Sequence, residues 1–493
     1  MSAAKYILAI DQGTTGTRTN IFNHAGRLVA SAYQEFPQYF PKPGWVEHDA
    51  NEIWQSVEAT IQKATVQINP AHIVAIGITN QRETTVMWDK ATGKPVHRAI
   101  VWQCRRTADM CDELKRKKLS KLFHQKTGLV LDAYFSGTKI KWLLNHVPGL
   151  RKKAQRGDIL FGTIDTWIIY KLTGGLVHAT DYSNASRTLI FNIIKKQWDT
   201  QLLKILKIPA QILPQVKNSA GEFGRTVKIK NLPAGIPITG VAGDQQAALF
   251  GQACFEKGSA KNTYGTGCFM LLHTGSKPVF SNNGLLTTLC CDAWGKPAYA
   301  LEGAVFIGGA VIQWLRDGLQ VIDSASQTQK ICESIPSTGG VYFIPAFVGL
   351  GAPYWNQNAR GAIVGLTRGS GRSQIIRAAV ESMAFQSFEL LELMQKEAHL
   401  KTTELKVDGG ACANNFLMQF QANLNQQKVL RPKIIETTSL GAAYLAGLGV
   451  GFWKNPSELK KHWQLNQKFS PKISAAQRSQ QIGEWKAAVK RVL

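Results

Sequence analysis

The stretch Tyr6-Ile7-Leu8-Ala9-Ile10-Asp11-Gln12-Gly13-Thr14-Thr15-Gly16-Thr17-Arg18 decides the fold. An apolar, strand-forming run ends in an acid, then in a turn of glycine and hydroxyl side chains. A carboxylate at the end of a buried strand is costly unless it is paired or binds a cation. A glycine turn with neighbouring hydroxyls offers N–H and O–H donors to phosphate oxygens. Similar turns follow at Gly243-Asp244-Gln245-Gln246, at Tyr264-Gly265-Thr266-Gly267 and at Val407-Asp408-Gly409-Gly410-Ala411. None has the Walker spacing, and none is a G-x-G-x-x-G leading a helix, so a nucleotide would be held by neither of the two commonest loops. In open α/β sheets such strand ends line the ligand crevice. Asp11 and Asp244 beside hydroxyl-rich turns therefore suit Mg²⁺ and an activated hydroxyl nucleophile.

Outward from this stretch, apolar runs at Ile73–Thr79, Ala99–Trp102, Ile159–Ile164 and Ile236–Ala242 read as further strands. Trp54, Val57, Ile61, Ala64 and Ile68 recur at three- and four-residue steps, the apolar face of a helix. Strands alternating with helices predict an α/β architecture with a largely parallel sheet. The segment Gly251–Gly258 has two glycines and no periodicity, and is the expected boundary. Beyond it the pattern restarts at Thr263–Leu272, with a helix near Val305–Leu315 and a strand at Gly340–Pro345. A long helix then presents Ile376, Val380, Met383, Leu390 and Met394, and a strand follows at Glu404–Val407. The charged C-terminal region is expected to be helical.

The chain has 493 residues, past the roughly 250–300 at which one core stops growing, so two domains are expected. With 44% hydrophobic and 18% charged residues, a large folded core is possible and global disorder is excluded. Lys and Arg number 58 against 33 Asp and Glu, a net charge of +25. The basic residues do not cluster with aromatics, and the densest runs, Lys115–Lys118 and Arg151–Lys153, are short. The charge is thus read as a whole-surface property, and no specific nucleic-acid face is expected. Eight cysteines form no C-x-x-C pair and have no zinc-like histidine spacing, which argues for a reducing compartment. Asp11 interrupts the first apolar run too early for a signal peptide, and the Gly303–Ile312 stretch is too short for a membrane span. A cytoplasmic location is expected, and the Asn184-Ala185-Ser186 acceptor pattern is expected to be accidental.

The Asp-Gln-Gly-Thr, Gly-Thr-Gly and Asp-Gly-Gly turns together resemble the phosphate and adenosine motifs of the actin-like ATPase superfamily. Within it, nearly the whole chain resembles the FGGY family of carbohydrate kinases. Tyr134-Phe135-Ser136-Gly137-Thr138-Lys139-Ile140-Lys141-Trp142 looks like that family's first signature, and Gly361–Leu366 leading to Gln374 and Glu381 looks like its second. Segments 43–48, 78–84, 101–106, 242–248 and 261–269 are similar to the members that act on glycerol. The resemblance implies two ribonuclease H-like domains with a cleft between them. Residues 1–252 would carry the glycerol site and the first phosphate loop, and residues 253–493 most of the nucleotide site. The implied reaction moves the γ-phosphoryl of MgATP to glycerol, the first step of glycerol utilisation. The alternatives are a family kinase for another polyol or a ketose, or a non-catalytic actin-like ATPase.

Residue by residue, the resemblance makes Asp244 the general base, and an N-cap of the following helix is its plain structural alternative. Asp11 and Asp244 would hold Mg²⁺ through water. Arg82, Glu83, Trp102, Tyr134, Asp244, Gln245 and Phe269 would form the glycerol pocket. Thr14, Thr15, Gly16, Arg18 and Thr266 would cradle phosphates. Gly309, Gln313, Gly410 and Asn414 would surround the base, ribose and phosphates, although Gly308-Gly309 also reads as simple close packing. ATP and Mg²⁺ are the implied cofactors, and a homodimer or homotetramer the implied assembly. Some relatives bind a sugar bisphosphate inhibitor through a Gly-Gly-Thr-Arg loop. Residues 228–236 lack that arginine and the paired glycines, so weak inhibition or none is expected.

Overall fold

The computed structural model describes residues 4–354, 356 and 358–493. Its first sheet has five strands: β1 (Tyr6–Gln12), β2 (Gly16–Asn23), β3 (Leu28–Glu35), β4 (Ile73–Asn80) and β5 (Ile238–Gly243). Their spatial order is β5-β4-β1-β2-β3. The first three form an antiparallel meander, and β4 and β5 run parallel to β1.

The second sheet contains β6 (Ala260–Tyr264), β7 (Cys268–Gly275), β8 (Leu286–Cys291), β9 (Pro297–Val305), β10 (Glu404–Asp408), β11 (Lys428–Pro432) and β12 (Leu465–Phe469). Its order is β8-β9-β7-β6-β10-β11-β12. The run β9-β7-β6-β10-β11 repeats the order and directions of β3-β2-β1-β4-β5. The chain thus holds two copies of one ribonuclease H-like core. The turn at Gly13–Gly16 and the turn at Gly265–Gly267 are equivalent hairpin loops, each closed by a 2.9 Å backbone hydrogen bond across its glycines.

Helix α1 (Ala50–Thr65) starts where the Asp49 carboxylate accepts the Asn51 N–H, and it buries Ile53, Trp54, Val57, Ile61 and Ala64. Ile68 falls beyond its end. Helix α2 (Ser136–His146) belongs to a separate layer on the first domain. Helix α3 (Asp244–Gly251) follows β5 directly. Helix α4 (Arg372–Ala398) buries all five residues of its expected apolar face in the second core. Helix α5 (Thr437–Gly449) follows β11 and is apolar almost all round.

The last turns of both halves interlock. Helix α3 leaves the first sheet, and its Leu249 packs with Leu271, Cys290 and Ala300 of the second. Helix α5 leaves the second sheet and packs its Leu440, Ala442, Ala443 and Ala446 against Ile7, Ala9 and Ala75 of the first. Contact is by backbone: a Cβ on Gly441 would stand 1.8 Å from the Ala247 carbonyl oxygen, and one on Gly251 would stand 2.0 Å from that of Thr437. The expected boundary, 251–258, begins within this crossing, at Gly251.

Several expectations need correction. The run Ala99–Trp102 is a strand only at Ala99–Ile100, and Trp102 lies in a turn. Ile164 opens a helix, because Ile159–Gly162 already forms the strand. Thr263–Leu272 is two strands around the second turn. The region near Val305–Leu315 is the end of β9, then a short helix at Ala310–Gln313 running into a wide turn at Trp314–Gly318. The C-terminal region is not all helix, since β12 pairs antiparallel with β11. All eight cysteines are buried and unpaired. Among the described residues no helix is long and apolar enough to cross a membrane.

Candidate active site

The two hairpin turns, the start of α3 and the residues before α5 converge between the sheets. Asp11 is the penultimate residue of β1 and pairs across the hairpin with Arg18, which binds Glu436 at 2.5 Å. Burial pushes the Asp11 carboxyl up to about 7, Asp244 and Glu436 add to this, and Arg18 opposes it. Among the described residues no hydrogen bond ties Asp11 to Thr14 or Thr15, so it is not a turn cap.

Asp244 is the first residue of α3, one place inside the N-cap, Gly243. Its Oδ1 accepts the Gln245 N–H at 2.7 Å and faces Arg82 Nε at 3.0 Å. Its Oδ2 receives only a long 3.4 Å contact from Gln245 Nε2, and the side chain is 33% exposed. One carboxylate oxygen is therefore fixed, and the other is left to accept. The Gln245 side chain is itself gripped by the buried Lys261 ammonium, which also donates to Thr263 Oγ1 at 2.8 Å and to the Phe269 carbonyl at 3.3 Å.

Arg82 and Glu83 lie in the turn after β4, and both are buried. Arg82 Nη1 and Nη2 donate to Glu302 at 2.5 and 2.9 Å, and Nη1 also reaches Gln246 at 3.2 Å. Glu83 Oε1 accepts from Arg187 Nε at 2.6 Å. Burial alone would raise the Glu302 carboxyl, but Arg187 and Arg82 hold it down to about 2. At Glu83 burial prevails over the same two cations and pushes the carboxyl up.

Glu83 has φ +62°, a left-handed conformation that costs a non-glycine residue roughly 1–2 kcal/mol. Its carbonyl is held by Ser136 Oγ at 3.0 Å and by Lys139 Nζ at 3.2 Å. Lys139 also donates to the Tyr134 carbonyl at 2.6 Å, so one ammonium fixes both Glu83 and Tyr134. Tyr134 and Trp102 meet edge to face at 5.5 Å, and Trp102 Nε1 donates to Thr14 Oγ1 at 2.9 Å. That bond links the aromatic wall to the first turn.

Burial pulls the Lys139 ammonium from its ordinary 10.5 down to about 7. Between those values the unfolded chain binds more protons than the folded one, so stability rises with pH. Lys139→Met removes this contribution. Denaturant unfolding should show the wild type gaining on the variant from pH 7 to pH 9, by at most ~1.4 kcal/mol per pH unit. A constant or shrinking difference would contradict it.

Of the residues expected at the nucleotide, Thr15 and Thr266 are exposed at the tips of the two turns, and Gly16 closes the first. Gly309 donates its N–H to the Gly265 carbonyl at 2.8 Å, and a Cβ there would stand 2.7 Å from that oxygen. Close packing of Gly308-Gly309 onto the second turn is thus present, and it anchors the short helix carrying the exposed Gln313. Gly410 is exposed with open space around it. Asn414 caps helix Asn415–Asn425 through the Leu417 N–H at 3.0 Å and donates to Thr328 Oγ1 at 3.1 Å.

Sequence reasoning missed Glu302, Lys139, Lys261, Arg187 and Glu436. Glu302 is the lone acid in the otherwise apolar Tyr299–Val305 of β9, and that isolation was its signal. Lys139 lies inside the first signature and Lys261 inside segment 261–269, where nothing singles either out as a site residue. Arg187 had no signal beyond following the Asn184 pattern. Asn184 itself is buried and bonded to Asn80 and Asp181, which accords with an accidental acceptor sequence.

The FGGY family of carbohydrate kinases matches by its N-terminal domain over residues 6–251 and by its C-terminal domain over residues 260–450. The chain is 57% identical to a glycerol kinase of Caldanaerobacter subterraneus subsp. tengcongensis, covering 99% of each chain. It is 56% identical to glycerol kinase 2 of Thermotoga maritima, again over 99% of each. Its structure superposes on that of Plasmodium falciparum glycerol kinase with ADP at a TM-score of 0.94 and 38% identity, covering 99% of this chain and 98% of that one. The gluconate kinase of Lactobacillus acidophilus shares the fold, with a TM-score of 0.90 at 24% identity and coverage of 99% and 98%. Matched in both halves and along its full length, the chain belongs to the FGGY family of carbohydrate kinases.

Proposed function

We propose that this protein is an ATP:glycerol 3-phosphotransferase, which moves the γ-phosphoryl group of ATP to a terminal hydroxyl of glycerol to give sn-glycerol 3-phosphate and ADP. The observation that carries the reading is the Asp244 carboxylate, fixed at Oδ1 and open at Oδ2 beside the buried Arg82 and Glu83. In this reading Oδ2 accepts the hydroxyl proton as the oxygen attacks phosphorus. Arg82, Glu83 and Gln245 take the acceptor's hydroxyls, while Trp102, Tyr134 and Phe269 cover its CH groups. Thr14, Thr15, Gly16, Arg18 and Thr266 bind the phosphates. Gly309, Gln313, Gly410 and Asn414 surround the rest of the nucleotide. No covalent nucleophile is needed, because phosphoryl transfer depends mainly on positioning and charge stabilisation. The two domains, 1–252 and 253–493, would close over the ligands and exclude water.

Mg²⁺ fits the acids that converge here. Burial pushes the Asp11 carboxyl up to about 7 and the neighbouring Asp244 and Glu436 add to this, while Arg18 opposes it and Arg82 pairs with Asp244, so a cation here would relieve the carboxylates. Asp11 and Asp244 would hold the ion through water, and the ion would neutralise charge on the β- and γ-phosphates. Asp11→Asn should raise the Mg²⁺ concentration for half-maximal rate roughly tenfold, while glycerol KM changes little. An unchanged Mg²⁺ titration would remove Asp11 from this role. The function itself is tested by ADP release with MgATP across glycerol, xylulose, ribulose and gluconate. Glycerol should give the highest kcat/KM by orders of magnitude, and preference for a ketose or for gluconate would overturn the reading. A homodimer or homotetramer in the cytoplasm accompanies this reading, and sedimentation of the purified protein tests the assembly.

A further inference from the structure

Four buried charges form a closed ring at the acceptor site. Arg82 and Glu83 come from the turn after β4 in the first domain, and Arg187 from the segment after Asn184. Glu302 comes from β9 in the second domain. Arg82 forks onto Glu302 at 2.5 and 2.9 Å, and Arg187 bridges Glu302 at 3.1 Å to Glu83 at 2.6 Å. Arg82 Nε and Glu83 Oε1 close the ring at 3.8 Å. Every side chain in it is 2% exposed or less.

A guanidinium has five N–H donors. On Arg82, Glu302 and Gln246 accept from Nη1, Glu302 accepts once from Nη2, and Nε faces Asp244 as an ion pair at 3.0 Å. One Nη2–H remains. On Glu83, Oε1 is taken by Arg187, and among the described residues no hydrogen bond reaches Oε2. The ring thus keeps donors on Arg82 Nη2 and on the buried, unpartnered Arg187 Nη1 and an acceptor on Glu83 Oε2, groups that complement hydroxyls. Without Glu302, Arg82 would keep Asp244 at 3.0 Å and Glu83 at 3.8 Å as its anionic partners, and the fork would be free to turn toward the carboxylate that must stay free to accept a proton.

We propose that Glu302 and Arg187 are positioning residues for the acceptor hydroxyls, and that Glu302 makes the orientation of Arg82 depend on the second domain. The acceptor pocket is then complete only while β9 stands against the turn after β4. Opening of the cleft would release Arg82 and weaken the acceptor without touching it. This rests on the assignment of Arg82 and Glu83 as hydroxyl ligands. The wild type's acceptor screen tests that assignment, and only the variants below test the ring.

The experiment compares full-length wild type, Glu302→Gln, Arg187→Lys and Arg187→Met by steady-state kinetics with glycerol and MgATP varied separately. Calorimetric glycerol binding is measured without nucleotide. Loss of one partner from a buried charged hydrogen bond should raise glycerol KM and Kd roughly 10- to 100-fold in Glu302→Gln, with ATP KM within about threefold of wild type. Arg187→Lys, which keeps the charge but not the fork, should lie between wild type and Arg187→Met. Should Glu302→Gln fail to fold, the Arg187 pair carries the same readout. Unchanged glycerol affinity in the variants, or equal losses for glycerol and ATP, would overturn the proposal, the second because it would mark a merely structural role.

Discussion

Asp244→Asn should reduce phosphoryl transfer by ~10²–10⁴-fold, the range a positioned general base supplies. The substitution keeps the shape of the side chain. Its amide oxygen can still receive the Gln245 N–H and face Arg82 Nε, as Oδ1 does at 2.7 and 3.0 Å. The NH₂ group then replaces Oδ2, putting a donor where the attacking hydroxyl needs an acceptor. Because Arg82 and Glu83 are held by Glu302 and Arg187 rather than by Asp244 alone, the pair proposed to bind the hydroxyls should survive. Glycerol affinity by calorimetry should therefore change by no more than a few-fold. Turnover within a few-fold of wild type would remove Asp244 from the chemistry. Loss of both turnover and glycerol binding would instead make it chiefly a ligand.

The parts of the fold with strong local signals were legible in the sequence. Tyr6–Ile10 and Ile73–Thr79 are continuous apolar runs because both faces of β1 and β4 are covered, and the expected spans fall short by one or two residues only. The faces of α1 and α4 follow from helical spacing. Edge and irregular elements were not legible. Strand β12 reads Leu-Asn-Gln-Lys-Phe, mostly exposed, with no alternation strong enough to mark it in a charged region. Trp102 continues an apolar run, but it lies in the turn that follows, where its indole donates to Thr14, a distant partner that no local pattern announces. The site divides in the same way. Asp11 and Asp244 announce themselves as acids at strand ends. Glu302 and Arg187 make sense only once two segments 115 residues apart lie against each other, a fact no local pattern carries. The role of α5 was hidden for a similar reason: its all-round apolar sequence says that it is buried, but not that it is buried against the other domain's sheet.

That crossing supports the prediction with the largest effect on stability. Gly441→Ala should lower the stability of the whole chain by more than ~3 kcal/mol, the upper end for overpacking a core. The added methyl would meet backbone, with the Ala247 carbonyl oxygen 1.8 Å away and the Gly251 nitrogen 2.9 Å away. No rotamer change can relieve a clash between a Cβ and a carbonyl, so α3 and α5 must separate. Separation is opposed at every side, because α5 is equally close to the first sheet: a Cβ on Gly77 would lie 2.2 Å from the Ala442 carbonyl oxygen, and Thr239 Oγ1 binds the Ala446 carbonyl at 2.9 Å. The Thr437 hydroxyl also binds buried Asp408 at 2.6 Å, tying the start of α5 to β10. A shift of α5 would displace Glu436 and, through it, Arg18 at the first turn. Residual activity in the variant should therefore show weaker nucleotide binding in addition to a lower unfolding midpoint. Gly483→Ala is the control with the opposite sign. Gly483 lies in helix Ala475–Val489, is exposed and has open space around it, so alanine should be neutral or stabilise by ~0.5–1 kcal/mol through the unfolded state. Chemical unfolding of the three proteins decides the matter. If Gly441→Ala unfolds with Gly483→Ala rather than far below it, the helices have room to part, and backbone contact does not hold the crossing together.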